Sequence, residues 1–331
     1  MEIELYLKKL IEKNEYISSK LAKHSIPHSE LGPALGTTFA MMLNGPASNQ
    51  LSSLITKNET QNITTDDIEN TAMLSKGSLN VFFGNYNNLR SGLRISTQKL
   101  LDTLIIYLTK SNSIRKERDS LTTQVEIPLE EYFNLCGVAK SSASIKKARL
   151  KLNEDLRVLY SMSLEWREKK GSKTHDFDMM RICYRAAVRQ SVIKVDFAPQ
   201  WAEYLTSSYL TRYPLNILKL DERNPNSYHL ARKMAVHYSI SANVKKGTNN
   251  ILSVPSLLEV CNDIPDIETV KAGSRKVHRD IILPFENALD SIPFINWEYC
   301  NSKGLPLKKN QENPRTYNVF SQLLVKFEIH K

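Results

Sequence analysis

One short pattern occurs twice in this chain, and it constrains the fold more than any other feature. The segment VEIP at 125–128 leads into LEEYFNLCGV, and LSVP at 252–255 leads into SLLEVC. Proline lacks an N–H group, so it fits the first turn of a helix, where that group has no intrahelical partner. Each copy therefore predicts a short strand that enters a helix at a proline. The two prolines, Pro128 and Pro255, are 127 residues apart.

The segments around each copy also repeat in the same order. Before each strand the sequence predicts a helix, and after it a second, basic helix followed by extended segments that bear aromatic residues. The predicted flanking helices are 97–112 and 141–160 in the first copy, and about 225–240 and 273–290 in the second. This order is typical of a winged helix, and a pattern repeated at a fixed interval is stronger evidence than either copy alone.

We therefore predict a mainly helical α+β protein with two tandem winged helices and an N-terminal extension that is partly helical and partly flexible. The predicted domains are the extension at 1–90, the first winged helix at 91–215 and the second at 216–331. A chain of 331 residues is long enough for two domains of ordinary size.

The extension contains two kinds of sequence. An amphipathic helix is predicted over 3–24, with a heptad stripe that consists of Ile3, Leu7, Leu10, Asn14, Ile17 and Leu21. A stripe with one polar position is typical of a dimeric coiled coil, but three heptads also fit a helix that docks on the core, so a homodimer and simple docking both stay open. From Ser25 to Asp67, frequent Ser, Thr, Asn, Gly and Pro predict a mobile connector with at most a small helix.

Order is predicted to return at SLNVFFGNYNNL, residues 78–89. The helix that follows is predicted to begin with Ser96 as its N-cap, because a serine hydroxyl accepts a hydrogen bond from the first helical turn. The apolar residues predict a buried helix through Leu100, Leu101, Leu104, Ile105 and Leu108.

The basic helix of the first copy is the strongest candidate for a binding surface. A helical period predicts that its core face consists of Ile145, Ala148, Leu152, Leu156 and Leu159, which leaves Leu150 on the opposite face. In a helix-turn-helix, the N-terminal half of the second helix meets the base edges, and free N–H groups at its start favour a phosphate. The predicted DNA contacts are Lys140, Ser141, Ser142, Ala143, Ser144, Lys146, Lys147 and Lys151.

The second copy follows the same logic, with Val277, Ile281, Phe285 and Ala288 predicted to face inward. Its predicted DNA contacts are Lys271, Ser274, Arg275, Lys276 and Arg279. Arginine pairs bidentately with guanine, whereas lysine more often contacts phosphate as a point charge, so Arg275 and Arg279 are the predicted base readers. Pro284 lies inside this helix and removes one backbone hydrogen bond, which predicts a kink or an end after the basic turn.

The distribution of charge favours a polyanionic partner. The chain has 45 Lys and Arg against 35 Asp and Glu, a net charge of +10. Residues 1–97 hold nine of each kind, so the whole excess lies in 98–331. Phosphates release condensed counterions when Lys and Arg replace them, which favours binding of nucleic acid. A basic helix face is more often simply solvated, and a scaffold protein that docks on an acidic protein partner therefore remains an alternative.

These segments resemble a known family, the tandem winged-helix plasmid replication initiators, also called the iteron-binding Rep family. The likeness covers residues 95 to about 300 and rests on VEIPLEEYFNLCGV and SSASIKKARLKLNEDLRVLY in the first copy and on RKVHRDIILPFENAL in the second. Between the copies, VIKVDFAPQWAEYL is similar to the strand of the family that joins its two domains. In this chain, however, about 90 residues precede the first winged helix, which departs from the family's usual pattern.

The resemblance implies a replication initiator that binds directly repeated sequences in duplex DNA at an origin and recruits a host initiator and a replicative helicase. Members of the family are often also dimeric repressors of their own promoter. A phage or integrative element fits the sequence as well as a plasmid does. The alternative function is a transcriptional regulator that uses the same two winged helices.

The residues give no indication of an enzyme, a cofactor or a metal site. Eleven glycines are placed so that no two are five apart, which excludes a P-loop, and no HxH pair is present for the metal of a rolling-circle initiator. Four widely spaced cysteines are typical of a reducing compartment. The charged start MEIELYLKKLIEK and the absence of a long apolar segment predict a cytoplasmic protein that does not enter a membrane.

Overall fold

A computed structural model of the chain divides it into two compact units, Met1–Leu210 and Thr211–Lys331. The described residues are 38–55, 63–66, 71–76, 79–84, 94–114, 122–166, 168–170, 173–175, 180–206, 208–272, 276–307 and 316–330. The predicted helix at 3–24, with its dimerisation stripe, lies outside them. The break between the units lies five residues before the predicted domain boundary, and the first unit includes the predicted extension.

The first unit combines strands and helices that are interspersed along the chain. Its elements are β1 (Phe39–Asn44), α1 (Pro46–Ile55), β2 (Ile63–Asp66), β3 (Thr71–Lys76), β4 (Leu79–Gly84), α2 (Ile95–Ile114), β5 (Gln124–Pro128), α3 (Leu129–Leu135), α4 (Ser142–Ser161), β6 (Met162–Trp166), β7 (Glu168–Lys170), β8 (Lys173–His175), β9 (Met180–Arg181), β10 (Cys183–Arg189), β11 (Val192–Phe197) and α5 (Pro199–Thr206). The strand β12 (Tyr209–Pro214) then carries the chain into the second unit.

A three-stranded antiparallel sheet with the strand order β10-β11-β5 positions α2, α3 and α4. Alternate side chains of its strands are buried, including Val125, Ile127, Ile193 and Val195. The helices α2 and α4 pack against each other and against strands of this sheet. As predicted, α2 is a buried helix: every residue from Ile95 to Thr109 is buried, including the predicted Leu100, Leu101, Leu104, Ile105 and Leu108. The unit is α+β, in agreement with the sequence analysis.

A second, five-stranded antiparallel sheet was not predicted. Its strand order is β2-β3-β4-β6-β9, so strands from before α2 pair with strands that follow α4. Leu79, Val81 and Phe83 alternate with less buried residues in β4, and they face the core together with Met162 and Leu164 of β6. The segment at 63–84 is therefore joined to the first predicted winged helix by a continuous hydrogen-bonded ladder.

The prediction of a mobile connector from Ser25 to Asp67 is wrong for its described residues. All six side chains of β1 are buried, and α1 follows with Ala47 and Leu51 in the core. The backbone N–H of Leu43 donates to Thr109 Oγ1 at 3.0 Å, which ties β1 to α2. The sequence misled because Ser, Thr, Asn and Gly are typical of turns, whereas a strand buried on both faces has no alternation to reveal it.

Two other local predictions need correction. Ser96 is not an N-cap, because α2 begins at Ile95 and the Ser96 hydroxyl donates to a buried carboxylate of α4 instead. Pro128 is the last residue of β5 and precedes α3, whereas Pro255 does lie in the first turn of its helix. The strand ladder holds Pro128 in an extended conformation, with φ −56° and ψ 132°.

The turn between β10 and β11 contains two residues with positive φ, Gln190 at 50° and Ser191 at 59°. Such two-residue turns favour Asn-Gly, since any Cβ is strained by about 1 to 2 kcal/mol in the left-handed region. Glycine also loses more chain entropy on folding, which offsets part of the gain. We expect Ser191→Gly to raise the free energy of unfolding in urea by about 0.5 to 1 kcal/mol. A decrease would show that this turn is not strained.

The second unit repeats the topology of the three-stranded sheet. Its elements are a 3-10 helix (Leu215–Lys219), α6 (Pro225–Ser239), α7 (Ser241–Lys246), β13 (Ile251–Ser253), α8 (Val254–Leu258), α9 (Ile267–Ala272), a π-helical turn (His278–Ile282), α10 (Leu283–Asp290), β14 (Ile295–Cys300), α11 (Tyr317–Phe320) and β15 (Leu324–Ile329). The strand order is β13-β15-β14, antiparallel throughout, so the last strand is central, just as β11 is in the first unit. Phe285 and Phe320 meet edge to face in its core, with ring centroids 5.5 Å apart.

The predicted basic helix at 273–290 is not one regular helix among its described residues. A π-helical turn at His278–Ile282 precedes α10, and Pro284 lies in the first turn of α10. The N–H of Leu283 donates to the carbonyl of His278, five residues back. Proline cannot donate to the residue four positions back and crowds its carbonyl. The wider turn accommodates Pro284. The helix does not end after the basic turn, since α10 continues to Asp290, and the deviation from regular α-helix is the π-helical turn before the proline.

Candidate nucleic-acid interface

The N-terminal half of α4 contains no buried side chain. No side chain from Ser142 to Lys151 is buried, and the buried face begins at Leu152 and continues through Leu156 and Leu159. The predicted core positions Ile145 and Ala148 are only half-buried. About two and a half turns of this helix therefore stand out from the core that anchors its C-terminal half.

The start of α4 is arranged to attract an anion. Ser141 is the N-cap, and its hydroxyl accepts from the Ser144 N–H at 3.2 Å and donates to the Ser144 hydroxyl at 2.8 Å. The first turn contains no acidic residue. The N–H groups of Ser142 and Ala143 have no acceptor among the described residues, as expected for the first turn of a helix. These donors and the helix dipole favour a negative charge at this end.

The structure brings most of the residues predicted for the first copy onto this exposed surface. Those that are exposed are Lys140, Ser141, Ser142, Ala143, Lys146 and Lys147, and Ser144 is half-buried. Arg149 is exposed as well and was not predicted. It lies with Asn153, Gln190 and Ser191 around a shallow hollow between α4 and the β10–β11 turn. The helical period did not single out Arg149, because this residue lies between the buried face of α4 and the opposite face. Its positive charge could have identified it as a candidate DNA contact.

Lys151 differs from the other predicted contacts. Its side chain is half-buried, and this burial lowers its pKa, while the nearby carboxylate of Asp155 favours the charged form. Lys146, Lys147 and Arg149 are exposed, whereas Lys151 is half-buried beside Asp155. The exposed basic surface therefore ends at Arg149. Lys151 thus lies at the boundary between the exposed half of α4 and the anchored half.

Asp155 anchors α4 to the start of α2. Its side chain is 1% exposed and accepts hydrogen bonds from the hydroxyls of Thr97 at 2.7 Å and Ser96 at 3.0 Å. Arg94 Nε lies 3.4 Å from the same carboxylate, and the Arg94 guanidinium also pairs with the exposed Glu154. A buried polar contact in the C-terminal half of α4 thus fixes the helix whose N-terminal half carries the exposed basic residues.

Burial raises the pKa of Asp155, although Thr97, Ser96 and Arg94 each act to lower it. A carboxyl group with a raised folded-state pKa binds more protons in the folded state, so its contribution to stability is lost as pH rises through that pKa. We expect the unfolding free energy of the wild type, relative to Asp155→Asn, to increase as the pH falls from neutral toward the ordinary carboxyl pKa of about 4, because asparagine does not titrate. Urea denaturation across this range measures the difference, and a flat or opposite trend would contradict it.

Two of the predicted DNA contacts of the second unit are paired with acidic side chains of the protein itself. Lys271 pairs with Glu268 at 3.6 Å within α9, whereas Lys276 is exposed. Arg279 is exposed, but its guanidinium donates twice to the carboxylate of Asp280, at 2.8 and 3.1 Å. Those two bonds raise the pKa of Arg279. The two remaining predicted residues, Ser274 and Arg275, lie outside the described residues.

The described residues contain no group of three His, Cys, Asp or Glu side chains that could hold a metal ion. Burial raises the pKa of the Cys136 thiol to about 11 and that of Cys183 to about 12, which keeps both thiols protonated. No helix in the described part of the chain is both long enough and apolar enough to cross a membrane.

Solved structures that are similar to this chain include two of RctB. No family model and no curated protein matches the chain. A crystal structure of selenomethionine derivatives of domains 2 and 3 of RctB is 10% identical, covers 85% of this chain and 98% of its own, and has a TM-score of 0.42. A second crystal structure of RctB domains 2-3 is 10% identical, covers 86% of this chain and 97% of its own, and has a TM-score of 0.37.

Proposed function

We propose that this protein is a non-enzymatic, sequence-specific binder of duplex DNA that initiates replication at an origin with direct repeats. The observation that supports DNA binding is the basic surface at the start of α4, where Lys140, Lys146, Lys147 and Arg149 are exposed and no acidic residue lies between Lys140 and Lys151. The initiator role rests on the resemblance of the sequence to the tandem winged-helix initiators. In this proposal, each three-stranded sheet with its helices is one winged helix.

The proposed mechanism uses α4 as the recognition helix of the first unit. Its N-terminal half enters the major groove, while Lys140 and the free N–H groups of the first turn contact phosphates. In the second unit the same role falls to the turn that bears Lys276 and Arg279. Any opening of the duplex is driven by binding energy, because the sequence contains no P-loop.

The proposed partners are a host initiator and a replicative helicase, with autorepression of the protein's own promoter as a second activity. A plasmid, a phage or an integrative element is the proposed setting. A purely transcriptional role makes a different prediction, since its sites would lie only at a promoter and not beside an AT-rich tract of an origin.

The experiment is a selection from random duplexes with the full chain at two salt concentrations, followed by sequencing of the retained DNA. The proposal predicts one motif of about one to two helical turns, present as direct repeats near the gene. The motif should persist at the higher salt, since base contacts depend less on salt than phosphate contacts do. Retention without a motif that vanishes at the higher salt would contradict the proposal and favour the acidic-partner alternative.

Arg279 provides a test of the second unit. We expect Arg279→Ala to weaken binding to the selected motif by about 1 to 3 kcal/mol and to relax specificity at one position, because a bidentate arginine reads one guanine. Asp280→Ala is the matched variant, since it removes the carboxylate that holds the guanidinium and leaves Arg279 in place. Equal losses on the motif and on random DNA for Arg279→Ala would refute its role as a base reader.

A further inference from the structure

An exposed leucine lies on the basic surface of α4. The side chain of Leu150 is 59% exposed. One turn back on the same face are the exposed Lys146 and Lys147, and two turns back is the exposed Ala143. A single exposed leucine is common on protein surfaces, so exposure by itself indicates no function. The position of Leu150 on the proposed recognition surface is what calls for an explanation.

Packing within the protein does not explain Leu150. The buried face of α4 begins at Leu152 and lies on the other side of the helix, with Leu156 and Leu159. The electrostatic surroundings of Leu150 are cationic, because Lys146, Lys147 and Arg149 are exposed and the first acidic residue of the helix is Glu154. That carboxylate is engaged by Arg94. A partner that covers Leu150 therefore has to be anionic and to present an apolar group between its charges.

Duplex DNA meets both requirements in the major groove. Its phosphates flank the groove, and the C5-methyl group of thymine is the apolar group that the base edges display there. We propose that Leu150 contacts a thymine methyl group and thereby specifies thymine at one position of the DNA site. This inference rests on the proposed function, and it names a residue that was not among the predicted contacts.

The contact discriminates through the methyl group. A thymine methyl against Leu150 removes apolar surface of both groups from water. A cytosine in the same place carries only a hydrogen at C5, so this apolar contact is lost. The flanking lysines are indifferent to the base, since they contact phosphate, so the discrimination belongs to Leu150.

The test replaces each thymine of the selected motif by deoxyuridine, which removes only the methyl group. The probes are the motif duplex and its single-substitution series, bound to the full-length wild type, Leu150→Ala, Leu150→Met and Tyr184→Ala. Tyr184 is the matched control, because it is 54% exposed and lies in β10, outside the helix. Leu150→Met keeps an apolar side chain of similar volume.

We expect the wild type to lose about fourfold in affinity at one thymine position, the value of one buried methyl group. Leu150→Ala should bind the unmodified motif several-fold more weakly and be indifferent to deoxyuridine at that position. Leu150→Met and Tyr184→Ala should behave as the wild type does. Equal sensitivity of the wild type and Leu150→Ala at every thymine would overturn the inference while DNA binding stands. Failure to select any motif would instead overturn the proposed function.

Discussion

Replacing Lys146 and Lys147 together by alanine is expected to weaken DNA binding by about 2 kcal/mol or more, roughly 30-fold, at 150 mM salt. Both side chains are exposed on the N-terminal half of α4, and no acidic residue shares that half of the helix. Each lysine that neutralises a phosphate contributes about 0.9 to the slope of log affinity against log salt concentration. The slope should therefore fall by about two units in the double variant, measured by fluorescence anisotropy on the selected motif.

The matched control is Lys245→Ala with Lys246→Ala, an exposed lysine pair in the last turn of α7. It removes the same two charges from the chain, so it separates a local contact from the effect of net charge. We expect this control to change the affinity by less than about threefold, within the usual range of long-range screening. Equal losses in the two double variants would mean that net charge, and not α4, determines the binding.

Asp155→Ala is expected to lower the free energy of unfolding by about 3 kcal/mol. The substitution leaves the buried hydroxyls of Ser96 and Thr97 without their acceptor and removes the buried partner of Arg94. These groups hold α4 against α2, so we also expect weaker DNA binding at temperatures where the variant remains folded. Urea denaturation followed by circular dichroism measures the loss of stability.

Glu154→Ala is the control for this prediction, because Glu154 is the adjacent residue and also pairs with Arg94. Its side chain is 54% exposed, and an exposed ion pair contributes less than about 1 kcal/mol. The two variants therefore remove neighbouring carboxylates that differ mainly in burial. Losses of the same size would contradict the view that the buried contact anchors the helix.

Much of the local structure was predictable, because the spacing of apolar residues and the residues that begin or end a helix are read from short segments of sequence. The apolar period placed α2 as a buried helix from Leu100 to Leu108, and the serine-rich start placed α4 within one residue of its observed first turn. Among the candidate contacts, exposed lysines such as Lys146 and Lys147 followed from the same period. The α+β class followed from the repeat of strand and helix around Pro128 and Pro255.

Other features depend on residues far apart in the chain, and no local pattern encodes them. The pairing of β4 with β6 joins segments on either side of α2 and α4, so the predicted extension contributes strands to the first unit. Asp155 lies on the core side of α4, three residues after Leu152 and four before Leu159, where a lone carboxylate is costly to bury. Two hydroxyls from the start of α2, far away in the sequence, make its burial possible.

By itself the sequence determined several of the helices and strands, the repeat of their order, the face of α4 that carries Leu150, and which helix has an uninterrupted run of basic residues. Only the tertiary structure decided that Ile145 and Ala148 stay half-buried, that Asp155 is buried, and that Arg149 is exposed. The physical reason is that a helical period fixes which side chains share a face of the helix, whereas their burial depends on how far the elements packed against that face extend along the helix. In α4 the buried face begins at Leu152.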